Sequence, residues 1–202
     1  EMITGQDLVE WQLRVASGEK LPKTQGQLAI DGWAFEARIY AEDAPKGFLP
    51  ATGTLEHLGF PAGAAFGRGA VRVDSGVRQG DAITPFYDPM IAKLIVHGPT
   101  RAAALNQLAA ALEGCHVAGS VTNIAFLHAL ARHPGFVRGG VDTGFIEREL
   151  DGLIRQPAPS AVVRAVAALV SLGMTRTPAG GDPWDRLKGW RLWTAARQFA
   201  LL

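Results

Sequence analysis

Apolar positions change period several times along the chain. From Thr4 to Ala16 they recur at helical spacing, with Leu8, Trp11 and Val15 on one face beside Gln12, and Gly18 stands where such a helix stops. Lys20 to Gln27 is a polar connection. From Gly32 the period becomes two: Trp33, Phe35, Ala37 and Ile39 share one face of a strand, and Glu36, Arg38 and Tyr40 the other. Turn residues at Gly47–Pro50 and Ala51–Gly53 precede a predicted strand from Thr54 to Leu58, and short strands are expected at Val71–Ser75 and Ile83–Phe86. A longer one runs from Ile91 to His97 and ends at Gly98-Pro99.

Helical spacing then returns. Thr100 is placed to cap a helix whose apolar face carries Leu105, Leu108 and Leu112, with Gly114 near its end. A second helix is expected from Val121 to Arg132, stopping at His133-Pro134-Gly135, and a third, capped by Thr143, reaches Leu150. Strands followed by helices predict an α+β fold, an antiparallel sheet with packed helices, over residues 27–150. Beyond Ile154 the prolines at 157 and 159 mark a linker, and Ser160 caps an Ala/Val-rich helix to about Gly173, apolar almost all round and so expected to be buried. After a loop at 175–182, Trp184, Trp190 and Trp193 crowd together, with 190–193 reading as the opening strand of a β-rich unit.

Composition narrows the function classes. The chain has 202 residues with 20 Lys and Arg against 19 Asp and Glu, a balance that argues for neither a nucleic-acid nor a membrane partner. No apolar run approaches the roughly 20 residues needed to span a bilayer, and no secretory signal precedes the first element. The single cysteine, Cys115, excludes an internal disulfide and a Cys-rich metal site; beside His116 it reads as a small buried residue at a helix end. The histidines have no metal-ligand spacing, His128 and His133 lying on a helix and in a turn without a partner carboxylate, so no metal site is expected. Gly59 to Gly69 is glycine-rich, but it lacks the G-x-G-x-x-G spacing and a following helix, so it reads as a loop between strands. Glu1 at the start and Phe199-Ala200-Leu201-Leu202 at the end read as cuts through a longer chain.

Several segments, in this order and spacing, resemble the biotin carboxylase family: Glu1 to Val9, Gly32 to Asp43 with Ala37-Arg38-Ile39-Tyr40, Gly47-Phe48-Leu49-Pro50, Tyr87-Asp88-Pro89-Met90-Ile91-Ala92-Lys93-Leu94 and Thr122-Asn123. Within it, Arg72-Val73-Asp74-Ser75-Gly76 and the stretch from His133 to Thr143 are most similar to the biotin-bearing subunits of acyl-CoA carboxylases, methylcrotonyl-CoA before propionyl- or geranyl-CoA. The resemblance implies an ATP-dependent ligase that activates bicarbonate with MgATP and carboxylates the ureido nitrogen of biotin on a carrier domain. It implies that residues 1–26 end an ATP-grasp region, 27–150 form the C-terminal domain of the carboxylase, and 151–202 begin a domain that contacts a partner. Further implications are a homodimer of carboxylase modules, a carboxyltransferase beta subunit as partner, a location in the bacterial cytoplasm or mitochondrial matrix, and no activity for this stretch alone.

Residue by residue, Arg38 matches the arginine that contacts bicarbonate and the ureido oxygen of biotin. A guanidinium suits that role because it is permanently charged and its planar fork binds a carboxylate-like anion through two hydrogen bonds. From the residues alone, a salt bridge to Glu36 on the same strand face is the competing reading. Asp88 matches an acidic residue near this arginine, where a carboxylate would hold the guanidinium in place in the bicarbonate- and biotin-binding site, or is simply the turn-forming Asp before Pro89. Arg72 matches a dimer-interface position, or forms a surface salt bridge. Thr143 falls where the family closes over the adenine ring. Lys93, a strand lysine facing the same way as Ile91 and Ile95, receives no role. Apart from chemistry, the stretch also reads as a module for dimerisation and subunit interaction, with the late tryptophans as anchors.

Overall fold

The structure, a computed structural model, describes residues 1–63 and 65–172. The loop expected at 175–182 and Trp184, Trp190 and Trp193 lie outside the described residues. The chain divides into two units, one over Glu1–Arg155 and one that begins at Gln156.

In the first unit, α1 (Leu8–Ala16) starts later than the periodicity predicts because Asp7 caps it, its Oδ1 accepting from the amides of Val9 and Glu10 at 3.0 Å each. None of its residues is buried. The strand expected from Gly32 is β1 (Trp33–Tyr40). It is followed by short pieces: β2 (Glu42–Asp43), β3 (Leu49–Pro50), β4 (Gly53–Thr54) and β5 (His57–Gly59). The single strand expected over 54–58 is thus two, interrupted at Leu55, whose amide turns to Asp81 O and whose side chain is fully buried. Then come β6 (Val71–Ser75), β7 (Ala82–Ile83), β8 (Met90–Gly98) and α2 (Arg101–Glu113), in which Thr100 Oγ1 accepts from the Ala103 amide at 3.2 Å as expected.

Sequence periodicity missed β9 (His116–Ala118), which pairs antiparallel with β5. The helices α3 (Ile124–Arg132), α4 (Pro134–Arg138) and α5 (Phe145–Leu153) complete the unit. The predicted stop at His133 is a junction: His133 ends α3 and caps α4, its Nδ1 accepting from Gly135 N at 3.2 Å. The short helix α4 holds because Phe136 packs on Phe35 at 6.0 Å between ring centroids, with the Arg101 guanidinium over both rings. Thr143 does not cap α5; Gly144 is the cap position, and Asp142 Oδ1 takes its amide at 3.0 Å and the Arg148 guanidinium at 2.8 Å.

The central sheet has the order β1-β8-β6, antiparallel throughout, which agrees with the predicted α+β class. Alternation puts Ala37 and Ile39 of β1 and Ala92, Leu94 and Val96 of β8 into one core with Leu108, Ala109 and Leu112 of α2. Ile91 joins that core and not the Lys93 face, because a bulge opposite Ile39 and Tyr40 shifts the register by one residue. A second cluster joins Ala44, Phe126 and Leu153, with Phe48 edge-on to Phe126 at 5.0 Å. Gly119 has φ +100, and a Cβ there would run into Thr54 O, so only glycine lets this loop reach β4.

In the second unit, α6 (Ala161–Ser171) is capped as predicted, Ser160 Oγ accepting from Val163 N at 3.3 Å. Its predicted burial is not seen among the described residues: Val162, Val163, Val166, Leu169 and Val170 are all exposed.

Leu94 is wholly buried at the centre of the sheet. Leu94→Ala is expected to destabilise the fold by about 2–5 kcal/mol, read as a lower urea midpoint at unchanged slope. A loss below about 1 kcal/mol would contradict this placement of the core.

Candidate functional site

The face of the sheet turned away from the core is ordered by register. Lys93 on the central strand lies opposite Arg38 on one side and Asp74 on the other, and Ile95 lies between Glu36 and Arg72. Two rows result, one cation-cation-anion and one anion-apolar-cation. Like charges directly opposite each other across a ladder repel, so Arg38 and Lys93 each need a carboxylate. Glu36 Oε1 accepts from Arg38 Nε at 3.2 Å, and Asp74 lies 3.7 Å from Lys93 Nζ.

The two halves of this face differ in solvation. The Arg38 side chain is 61% exposed. Glu36 first and Tyr40 second favour its charged form and hold its pKa up. Asp74 and Arg72 are sequestered, their side chains 3% and 15% exposed. Arg72 donates Nε to Asp74 at 2.9 Å and Nη1 to Glu1 at 2.7 Å, so it is no surface salt bridge. Burial alone pushes the Asp74 carboxyl up; the Arg72 guanidinium, the Phe66 amide at 2.9 Å and Lys93 outweigh it and hold the pKa below the ordinary range. Asp74 was not singled out from the sequence, although its spacing of two from Arg72 places both on one strand face.

Asp88 is not brought to Arg38 by a hydrogen bond or ion pair. Its Oδ1 accepts from the Met90 amide at 2.9 Å, the turn arrangement expected before Pro89. Its charge is felt at Glu42, whose carboxyl is pushed up first by burial and second by Asp88. Lys93 and Asp88 line a cavity of about 590 Å³ with Asp74, Tyr87 and Phe66. Lys93 also lines a groove of about 440 Å³ with Glu36, Arg72, Glu1 and Leu8. Thr143 is exposed between Asp142 and α5, away from the charged rows along the chain.

The remaining candidates have quieter roles. Cys115 is buried, its thiol donates to Ala111 O at 3.3 Å, and burial pushes its pKa up to about 11, so it is a packing residue and no nucleophile. The histidines do have carboxylate partners, contrary to expectation: His128 lies 2.8 Å from Glu113 where α3 packs on α2, and His133 lies 3.5 Å from Glu149. Among the described residues no three His, Cys, Asp or Glu side chains gather as a metal site, and no helix is long and apolar enough to cross a membrane.

The three-stranded antiparallel sheet thus has α2 packed on one face and an arginine-lysine row on the other. The family described as Biotin carboxylase C-terminal domain matches residues 36–148, and the chain belongs to that family. The chain is similar to the mitochondrial methylcrotonoyl-CoA carboxylase subunit alpha of Dictyostelium discoideum, 46% identical over 95% of this chain and 28% of that protein. Its counterpart in Oryza sativa subsp. japonica is 54% identical over 76% of this chain and 20% of that protein. The chain thus spans about a quarter of the length of these relatives. Among solved structures, the biotin carboxylase domain dimer of Hydrogenobacter thermophilus 2-oxoglutarate carboxylase, in complex with MgADP, ADP and bicarbonate, superposes with a TM-score of 0.73. It is 37% identical and covers 78% of this chain and 34% of that one.

The Asp74 pair has a pH signature. A carboxyl whose folded pKa is depressed stabilises the fold above its unfolded value and loses that contribution as pH falls through the folded value. Stability is therefore expected to fall as pH drops below about the ordinary value of 3.8. Asp74→Asn is expected to remove this part of the acid dependence and to cost about 3 kcal/mol at neutral pH, since Arg72 and Lys93 lose a buried anion. An unchanged acid profile in the variant, measured by denaturant titration from pH 7 to 2.5, would contradict the ion-pair assignment.

Proposed function

We propose that this chain supplies the C-terminal part of a biotin carboxylase within a longer acyl-CoA carboxylase subunit, with Arg38 at the chemistry. The observation that carries this reading is the position of Arg38: a solvent-facing guanidinium, paired among the described residues with the exposed Glu36 carboxylate, on β1 directly opposite Lys93. An incoming anion can take up the donors that Glu36 leaves unused, and Lys93 strengthens the local positive field.

In this reading the longer subunit would hold MgATP, whose γ-phosphoryl group passes to bicarbonate with release of ADP; the carboxyl group then passes to the ureido nitrogen of biotin on a carrier domain as phosphate leaves and that nitrogen gives up its proton. Arg38 orients bicarbonate and then stabilises the negative charge that develops on the ureido oxygen, as a pre-aimed donor does for an enolate-like oxygen. Asp88 acts through its turn and through Glu42 and does not hold the guanidinium. Thr143 borders the adenine side, and Arg72, pinned by Asp74 and Glu1, supports a homodimer surface. The acyl acceptor is methylcrotonyl-CoA, supported by similarity to the two alpha subunits. Residues 1–26 close the ATP-grasp region, residues 27–150 form the C-terminal domain, and residues 151–202 lead into a region that contacts the carboxyltransferase beta subunit. The compartment is the mitochondrial matrix or the bacterial cytoplasm.

In the full-length subunit, Arg38→Ala is expected to lower kcat for biotin carboxylation by roughly 100- to 1000-fold, the cost of removing one preorganised donor to a developing oxyanion. The KM for ATP should change little. Near-normal carboxylation in that variant would overturn the reading.

The exposed apolar face of α6 favours a second role, contact with a partner through residues after Ser160. Sedimentation of the chain with and without the beta subunit tests it: co-sedimentation weakened by Val166→Lys is expected, and a species indifferent to the beta subunit at high concentration would count against it.

A further inference from the structure

We infer that Asn123 is the positioning residue for Arg38, a role that rests on the reading of Arg38 given above. In the order β1-β8-β6, β1 is one of the two edge strands among the described strands. On its outer edge, at Arg38 and Tyr40, a buried side chain stands in for the missing neighbour. Asn123 Nδ2 donates to Arg38 O at 3.1 Å, Asn123 Oδ1 accepts from Tyr40 N at 3.0 Å, and Asn123 N donates to Tyr40 O at 3.1 Å. Asn123 is only 5% exposed. Its carboxamide carries a donor and an acceptor side by side, as a peptide group does, so it continues the ladder where no strand is present.

Three observations separate this from ordinary packing. Asn123 occupies the N-cap position of α3, where an Asn side chain normally accepts from the first turn, yet it makes no such bond. The side chain is turned to β1 instead. The clamp also acts beside the irregular stretch of the other edge of β1: the β8 register breaks between Ile39 and Tyr40, one residue past Arg38. Finally, among the described residues the exposed Arg38 side chain is influenced by Glu36 and Tyr40, both on its own strand, so its aim follows from the backbone of β1.

Asn123 is itself anchored. Leu127 N donates to Asn123 O at 3.0 Å, tying it to α3, and Ser120 Oγ donates to Ala51 O at 2.9 Å in the loop that delivers it. Helix α3 is thereby coupled through Asn123, by its carboxamide and its main-chain N–H, to the backbone that aims the guanidinium. A displacement on the order of 1 Å at a reacting group can cost roughly 100-fold in rate.

The test is a double-mutant cycle in the full-length subunit, reading bicarbonate-dependent ATP cleavage with free biotin. Asn123→Ala is expected to lower kcat roughly 10- to 100-fold with the KM for ATP unchanged. In an Arg38→Ala background the same substitution is expected to cost less than twofold, because its effect passes through Arg38. An equal loss in both backgrounds would show a general structural role and overturn the inference. Normal activity of Arg38→Ala alone would instead sink the assignment of Arg38. Where Asn123→Ala does not yield soluble protein, Asn123→Asp, which keeps the acceptor for Tyr40 N and loses the donor to Arg38 O, carries the cycle. Failure of both to fold would overturn the inference, since the residue would then serve folding and not aim.

Discussion

The antiparallel pairing of β1 with β8, from Trp33 opposite Gly98 to Arg38 opposite Lys93, is the constraint on which the rest depends. Because side chains alternate along a strand, this one register sends Ala37, Ile39, Leu94 and Val96 into the core and leaves Glu36, Arg38, Lys93 and Ile95 on the other face. A slip by one residue would put Arg38 and Leu94 on the same face, so that either the guanidinium is buried and Ile39 exposed, or Leu94 is exposed and the Lys93 ammonium buried. Core and site are specified by the same pairing, so the hydrophobic effect that packs α2 against the sheet also fixes where the charges stand.

Charge on the outer face is arranged by contrast. Asp74 is almost wholly withdrawn from water and shared between Arg72 and Lys93, an arrangement that is rigid and costly to break. Arg38 and Glu36 remain in water, where an ion pair contributes little and is easily exchanged. Tightly paired charges two strands away and a replaceable partner beside the arginine make a surface that can accept an anion without rebuilding itself. Glu1, which reaches Arg72, ties the amino-terminal segment to the rigid half.

Much of this was legible in the chain itself. The period-two runs at 33–40 and 91–97, the caps at Thr100 and Ser160, and the face shared by Glu36, Arg38 and Tyr40 all follow from local rules. Short ribbons were not legible: β9 has three residues and exists because β5 lies beside it, a tertiary fact. The bulge that moves Ile91 into the core, the carboxylates that reach His128 and His133, and the change of cap from Thr143 to the Gly144 position likewise depend on neighbours distant in sequence or on loop geometry. Of the candidate site, the contact of Arg38 with Glu36 was readable from spacing, while the candidacy of Arg38 came from the family resemblance. Asp74 needed register, and Asn123 needed the edge of β1, contacts 83 and 85 residues apart that no local pattern encodes.

The most direct measurement is a crystal structure of the full-length subunit with bicarbonate and biotin bound. The account predicts that the Arg38 guanidinium turns from Glu36 to lie about 2.7–3.0 Å from an oxygen of bicarbonate or of the ureido group, while Asp74 keeps Arg72. A guanidinium still paired with Glu36 and more than about 6 Å from either molecule, beyond reach even of one bridging water, would contradict it.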